Sequence, residues 1–285
     1  MKKYILLIPF IFILSACPTQ ITEQKVDVAV NVGDEIKDII KGVKDTPTPS
    51  PTPTIEPEEE PTKLTGAGYS LKLKGTNSYA SASSSDSFNL KNVFTLQAWV
   101  KINSFHKSSE GDYFPILFKG SKDVRYGVSI KSPSIIEVKM NNQKVLIKDS
   151  ADFLTRTWYH LSIVWDGKYI YVYRNGNLSG QSEYNVASLI SGENANFYIG
   201  ADLSAVEKYA DGEIDELRIW NKALTEKDIK SNMHFKLKGN EEGLNVYFPF
   251  DEGRDETTTD LSTNKNKASI INMDKWRISN APIYD

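Results

Sequence analysis

Cysteine is almost missing from this chain: one residue, Cys17, among 285. No intrachain disulfide can form, so any folded body must be held by its core alone. Histidine is scarce too. His106, His160 and His234 lie far apart with no His-Glu-x-x-His spacing, which leaves zinc-dependent hydrolysis without a motif. Gly66-Ala67-Gly68 lacks the third glycine of a dinucleotide-binding turn, since Leu71 stands there, and neither a Walker-type run nor a Gly-x-Ser-x-Gly elbow occurs. Net charge is only −3, with no basic cluster interleaved with aromatics, so nucleic acid is not an expected partner. Long apolar runs are absent except at residues 4–14, too short to span a bilayer as a stable helix.

That run follows Lys2 and Lys3 and has the length of a signal-peptide core. It leads into Leu14-Ser15-Ala16-Cys17, which resembles the bacterial lipobox. The resemblance implies a signal peptide over residues 1–16, diacylglycerol and acyl chains on Cys17, and an extracytoplasmic protein anchored to a membrane, at the outer membrane or cell surface. More than one acyl chain is needed for stable anchoring. Residues 17–63 read as a tether. Val26, Val28, Val30 and Val32 alternate, and Ile36, Ile39, Ile40 and Val43 then fall at helical spacing, but two to three turns of helix are marginal in water. Residues 46–62 are a Thr-Pro and then Pro-Glu stretch that offers a core nothing and reads as a stalk. As polyproline II it reaches on the order of 50 Å.

Residues 64–285 form one expected domain. The 40% hydrophobic composition of the whole chain suffices for one sizeable core, and short alternating runs recur in the domain with turn signals between them at spacings of about 8 to 12 residues. Asp166-Gly167 and Asn175-Gly176 each suit a two-residue type I′ turn. The most informative stretch runs from Asp211 to Ile229. Ile214, Leu217 and Ile219 are spaced three and then two, which one strand face cannot accept without a β-bulge near Asp215 and Glu216. Thr225, with Asp228 three residues on, predicts a variant capping box opening a short helix. The pattern predicts an all-β fold, a two-sheet antiparallel sandwich. Residues 243–264 read as late strands completing it.

The segment Gly212-Glu213-Ile214-Asp215-Glu216-Leu217-Arg218-Ile219 with Asn221, Ala223, Leu224 and Thr225 resembles the laminin-G-like, concanavalin A-like jelly rolls, and Phe94-Thr-Leu-Gln-Ala-Trp-Val100 and Tyr173-Arg-Asn-Gly176 follow in the same family order. The resemblance implies a carbohydrate- or protein-binding module at the cell surface. Laminarinase-like hydrolases of this fold carry Glu-x-Asp-x-Glu or Glu-x-Asp-x-x-Glu, because a retaining glycosidase needs two carboxylates about 5 to 5.5 Å apart. Here Glu213 and Asp215 begin the signature, and Leu217 and Arg218 stand where its second glutamate belongs. The expectation is therefore a non-catalytic binder, with a divergent glycoside hydrolase and a purely structural envelope protein as alternatives. The family also implies a structural Ca²⁺, with Asp215 as side-chain ligand and carbonyls near Gly75 as partners, although Lys74 replaces an acidic residue frequent there. For ligand contact the residue types favour Tyr113 and Tyr209 as aromatic platforms beside Asp112 and Asp211; His106, Phe114 and Tyr184 also lie in or beside predicted loops, with Asn185 near the last.

Overall fold

Alternating apolar and polar side chains become, in the computed structural model, two antiparallel sheets packed face to face. The structure describes residues 68–90, 92–184, 194–204, 206–273 and 276–284. The chain divides into units Met1–Glu58 and Glu59–Asp285, and every described residue belongs to the second. The signal segment, Cys17, the tether and Asn185 lie outside the described residues.

In chain order the strands are β1 (Tyr69–Lys74), β2 (Tyr79–Ala82), β3 (Phe94–Ser104), β4 (His106–Ser108), β5 (Gly111–Lys119), β6 (Tyr126–Lys131) and β7 (Ile135–Met140). There follow β8 (Gln143–Lys148), β9 (Trp158–Trp165), β10 (Tyr169–Arg174), β11 (Asn177–Glu183), β12 (Phe197–Ile199), β13 (Ala201–Asp202) and β14 (Lys208–Tyr209). Last come β15 (Asp211–Trp220), helix α1 (Glu226–Asn232), β16 (Leu244–Phe248), β17 (Thr257–Thr259), β18 (Lys267–Ile271) and β19 (Arg277–Ile278). The first sheet runs β11-β10-β9-β3-β15-β1-β19, with β16 also on β15. The second runs β17-β18-β2-β12-β5-β6-β7-β8, with β4 on β5. β13 and β14 pair with each other.

One face of each sheet supplies the core. Phe94, Leu96, Ala98, Val100 and Ile102 of β3 meet Val128 and Ile130 of β6 and Ile136 and Val138 of β7 in a single cluster. Burying each large aliphatic side chain contributes about 1.5–3 kcal/mol. Phe88 and Phe197 stack there with centroids 4.6 Å apart.

The bulge falls where the apolar spacing puts it. Asp215 lies opposite Trp99, yet the next ladder partner of β3 is Arg218, opposite Gln97. Glu216 takes the extra step with φ +50°, and Leu217 returns to the core, fully buried. The same point divides the strand's other edge: β1 pairs with residues 211–214, and β16 with residues 217–220. Thr225 caps α1 in a reciprocal capping box with Asp228, satisfying two orphan N–H groups.

Asn175 and Gly176 have φ of 49° and 78°, as a type I′ turn requires. The other hairpin differs from expectation by one residue. Asp166 N–H donates to the Tyr169 carbonyl (3.2 Å), so Gly167 and Lys168 are the central pair, with only Gly167 at positive φ. Asp166 serves instead as an acceptor for the N–H groups of Lys168 and Tyr169 at 2.8 and 2.7 Å. The late segment supplies both sheets: β16 joins β15, β18 joins β2, and β19 joins β1.

Candidate functional site

Two places on the sandwich gather charged side chains, one on the outer face of each sheet. On the first sheet the bulge turns Glu216 to the same face as Glu213 and Asp215, so three acids stand in a row. Each is engaged and almost fully buried. Glu213 accepts from Lys101 Nζ and Ser70 Oγ, both at 2.9 Å. Asp215 accepts from Ser279 Oγ at 2.5 Å and from the Glu216 N–H at 2.9 Å. Glu216 pairs with Arg218 (2.5 Å) and accepts from Tyr247 Oη (2.9 Å). Arg218 also donates to the carbonyls of Asn232 and Phe235, tying the row to the end of α1.

The C-terminal residues close over this face. Asn280 Oδ1 accepts from Trp158 Nε1 at 2.8 Å and from Lys101 at 3.4 Å, Ala281 and Ile283 pack against Trp99, and the Tyr284 N–H donates to the His234 carbonyl at 2.6 Å. Burial and the neighbouring Glu216 push the Asp215 carboxyl well above its ordinary value. Burial lifts Glu216 as well, although Arg218 and Tyr247 pull it back. His160, beneath the same cover, is held well below its usual value by burial and then by Arg218, and so stays neutral.

This geometry does not fit a calcium ion at Asp215. A hard cation wants several free oxygens. Both Asp215 oxygens already accept hydrogen bonds, while Gly75, whose N–H donates to the Ala210 carbonyl, lies five strand steps beyond, about 17 Å away at the usual rise. Among the described residues no group of three or more His, Cys, Asp or Glu is placed to hold a metal.

On the second sheet the outer face is open. The stretch from β13 to β14 crosses it, and a hollow of about 340 Å³ lies between that stretch, the β4–β5 turn and the β7–β8 hairpin. Lys122, Lys139, Lys144, Lys208, Glu110 and Ser204 face it. Lys139 and Lys208 are buried. Lys139 pairs with Asp202 at 2.7 Å, donates to Ser204 at 3.2 Å and lies over the Phe118 ring. Lys144 meets Glu110 at 3.2 Å, and this hydrogen bond holds the Glu110 carboxyl below its usual range. A second hollow of about 350 Å³ shares Lys122 and is edged by Tyr198.

The expected ligand residues divide. Tyr113 is buried beneath Lys208, whose Nζ stands 4.9 Å from the ring centre, and its hydroxyl donates to Glu137 at 3.3 Å. Tyr209, next to Lys208, stacks on Tyr79 at 6.0 Å, and Tyr79 meets Tyr198 edge-on at 6.1 Å, which makes a half-exposed aromatic patch over β2 and β12 at the edge of the second hollow. Desolvation and the hydrogen bond to Glu207 push the Tyr209 phenol up to about 12. Asp112 and Asp211 do not join them. Asp112 pairs with Lys107 at 2.5 Å, and Asp211 ties β15 to β3 through Ser104 at 2.5 Å. Tyr184 is buried, its hydroxyl donating to the Met140 carbonyl. The lysines were not expected. Their signal lay in the alternation of β7 and β8, which sends Glu137, Lys139, Lys144 and Leu146 to the face opposite the core.

The fold defines a jelly-roll sandwich of the lectin and glucanase type. A family model of the concanavalin A-like lectin/glucanases superfamily matches residues 74–230, more than half of the chain, and the chain belongs to that superfamily. Among solved structures it is similar to a candidate carbohydrate-binding protein from Bacteroides ovatus (21% identity, 75% of this chain and 62% of that chain covered, TM-score 0.57). It is also similar to the heptameric SAP-like pentraxin of Limulus polyphemus (18% identity, 59% and 82% covered, TM-score 0.45). A third is domain 4 of an extracellular arabinanase from Geobacillus stearothermophilus in complex with arabinotriose (24% identity, 51% and 68% covered, TM-score 0.37). The chain thus spans less than two thirds of the length of the Bacteroides protein. Comparison with curated proteins returns no match.

Proposed function

We propose that this chain is a non-catalytic glycan-binding module, held at the cell surface outside the cytoplasm through acylated Cys17. The observation that supports binding is the contrast between the two outer faces. The face bearing Glu213 is covered by residues 279–284, whereas the second sheet presents a polar groove and, on the same face, a tyrosine patch at the edge of a second hollow. Sugar recognition uses such a pairing of ring faces with a few fixed polar groups.

A glycan-array screen of the full chain, with and without chelator, tests the reading. Binding of a defined glycan class is expected, and loss of that binding in chelator would show that a cation takes part. Failure to retain any glycan, together with a stable protein complex recovered by cross-linking, would replace this reading with that of an envelope component. Acylation is tested separately: palmitate labelling is expected in the parent and absent in Cys17→Ser.

A second reading, glycoside hydrolysis, draws on the bulge, which brings Glu216 to the face of Glu213. Turnover of β-glucans abolished by Glu213→Gln would establish it. The burial of both carboxylates argues for no turnover, since a general acid must reach the leaving-group oxygen.

A further inference from the structure

We propose that the groove around Lys208 takes the negatively charged group of an acidic glycan, a uronate carboxylate or a sulfate ester. The inference rests on the glycan-binding reading and narrows it. Four lysines line the hollow against one lining acid, Glu110. Lys139 and Lys144 are direct partners across the β7–β8 ladder, and like charges directly opposite destabilise a strand pair. The sheet itself therefore gains nothing from placing them together.

Two more carboxylates lie beneath the groove, and both are buried and occupied. Asp202 is held by Lys139 and by Ser204 Oγ at 2.6 Å, and Glu137 accepts from Tyr113. Lys208 is left in an unusual state. Its side chain is 4% exposed, and its Nζ stands 3.8 Å from a carboxylate oxygen of both Glu110 and Asp202. Both contacts are ion pairs longer than a hydrogen bond, and the ammonium also lies over the Tyr113 ring. An ammonium carries three donors, and at 3.8 Å neither carboxylate takes one, so a ligand or water oxygen has donors to meet here.

Glu110 shows where that oxygen goes. It reaches in from the β4–β5 turn, 47% exposed, and sits between Lys144 and Lys208. A carboxylate on an exposed rim side chain is an internal stand-in for a carboxylate or sulfate from solution. An acidic sugar would displace Glu110 from Lys144 and Lys208.

The test is calorimetric titration of the full chain with trigalacturonate, a chondroitin sulfate disaccharide and neutral cellotriose, at low and physiological salt. At least one acidic probe is expected to bind, more weakly as salt rises. Glu110→Gln, which removes the competing carboxylate, is expected to tighten binding several-fold. Lys208→Met is expected to weaken it roughly tenfold, the scale of a charge-assisted hydrogen bond. Lys144→Gln, at an exposed position, gives the same direction should Lys208→Met fail to fold. Preference for cellotriose, or acidic binding unchanged in both Glu110→Gln and Lys144→Gln, overturns the inference and leaves the glycan-binding reading standing. Absence of binding to these probes and to every glycan of the array overturns both.

Discussion

Asp215 has a hydroxyl and an amide for partners, and both accompany a carboxyl that burial and Glu216 push well above the ordinary aspartate value of 3.8. Between that value and the raised one, the folded chain keeps a proton that the unfolded chain has released. The group's contribution to stability is therefore full below the unfolded pKa and declines as pH rises towards the folded one. Asp215→Asn, neutral at every pH, is expected to differ little from the parent at pH 4 and to melt higher at pH 7.5. Thermal unfolding across that range checks it, and an equal loss at both pH values would mean that Asp215 is ionised in the fold. Arg218 is the opposite case. It is fully buried, and its removal leaves Glu216 without its cation and the Asn232 and Phe235 carbonyls without a donor. Arg218→Ala is expected to cost about 3–5 kcal/mol by urea denaturation.

The element that matters most is β15, and much of it was legible before any coordinates. The bulge is encoded in the unequal spacing of Ile214, Leu217 and Ile219, and the helix start in Thr225 and Asp228, because both depend on neighbours within a turn or two of chain. Thr225→Ala is expected to cost about 1 kcal/mol of stability, measured by urea denaturation, since the orphan N–H of Asp228 loses its acceptor. The Asp166 turn was read one residue out of place. Asp-Gly fits the central positions of a type I′ turn, but here the Asp166 carboxylate satisfies two amides from the flank and leaves Gly167 to open the loop. The groove was largely illegible. Tyr113 and Tyr209 were readable as aromatics near loops, whereas Lys122 and Lys208 come from segments distant in sequence that only the closed second sheet brings to the Lys139–Lys144 pair of the β7–β8 hairpin. A lysine on the outer face of a strand reads, in sequence, as ordinary solvation.

At the scale of the molecule, the C-terminal residues are part of the architecture rather than an appendage. Deleting residues 279–285 removes Ser279 from Asp215, Asn280 from Lys101 and Trp158, and the apolar cover from Trp99, while all five tryptophans are kept. The truncated chain is expected to melt lower and to shift its tryptophan emission to the red as Trp99 meets water. An unchanged spectrum would contradict the packing described above. The pairing of β19 with β1 and of β18 with β2 also sets the order of assembly. The earliest strands of the domain find their neighbours among the latest, across some two hundred intervening residues, and ladders of such long reach close slowly. During synthesis or passage through a pore, neither sheet can be completed until the last residues have emerged, so the finished sandwich is a report that the whole domain has arrived.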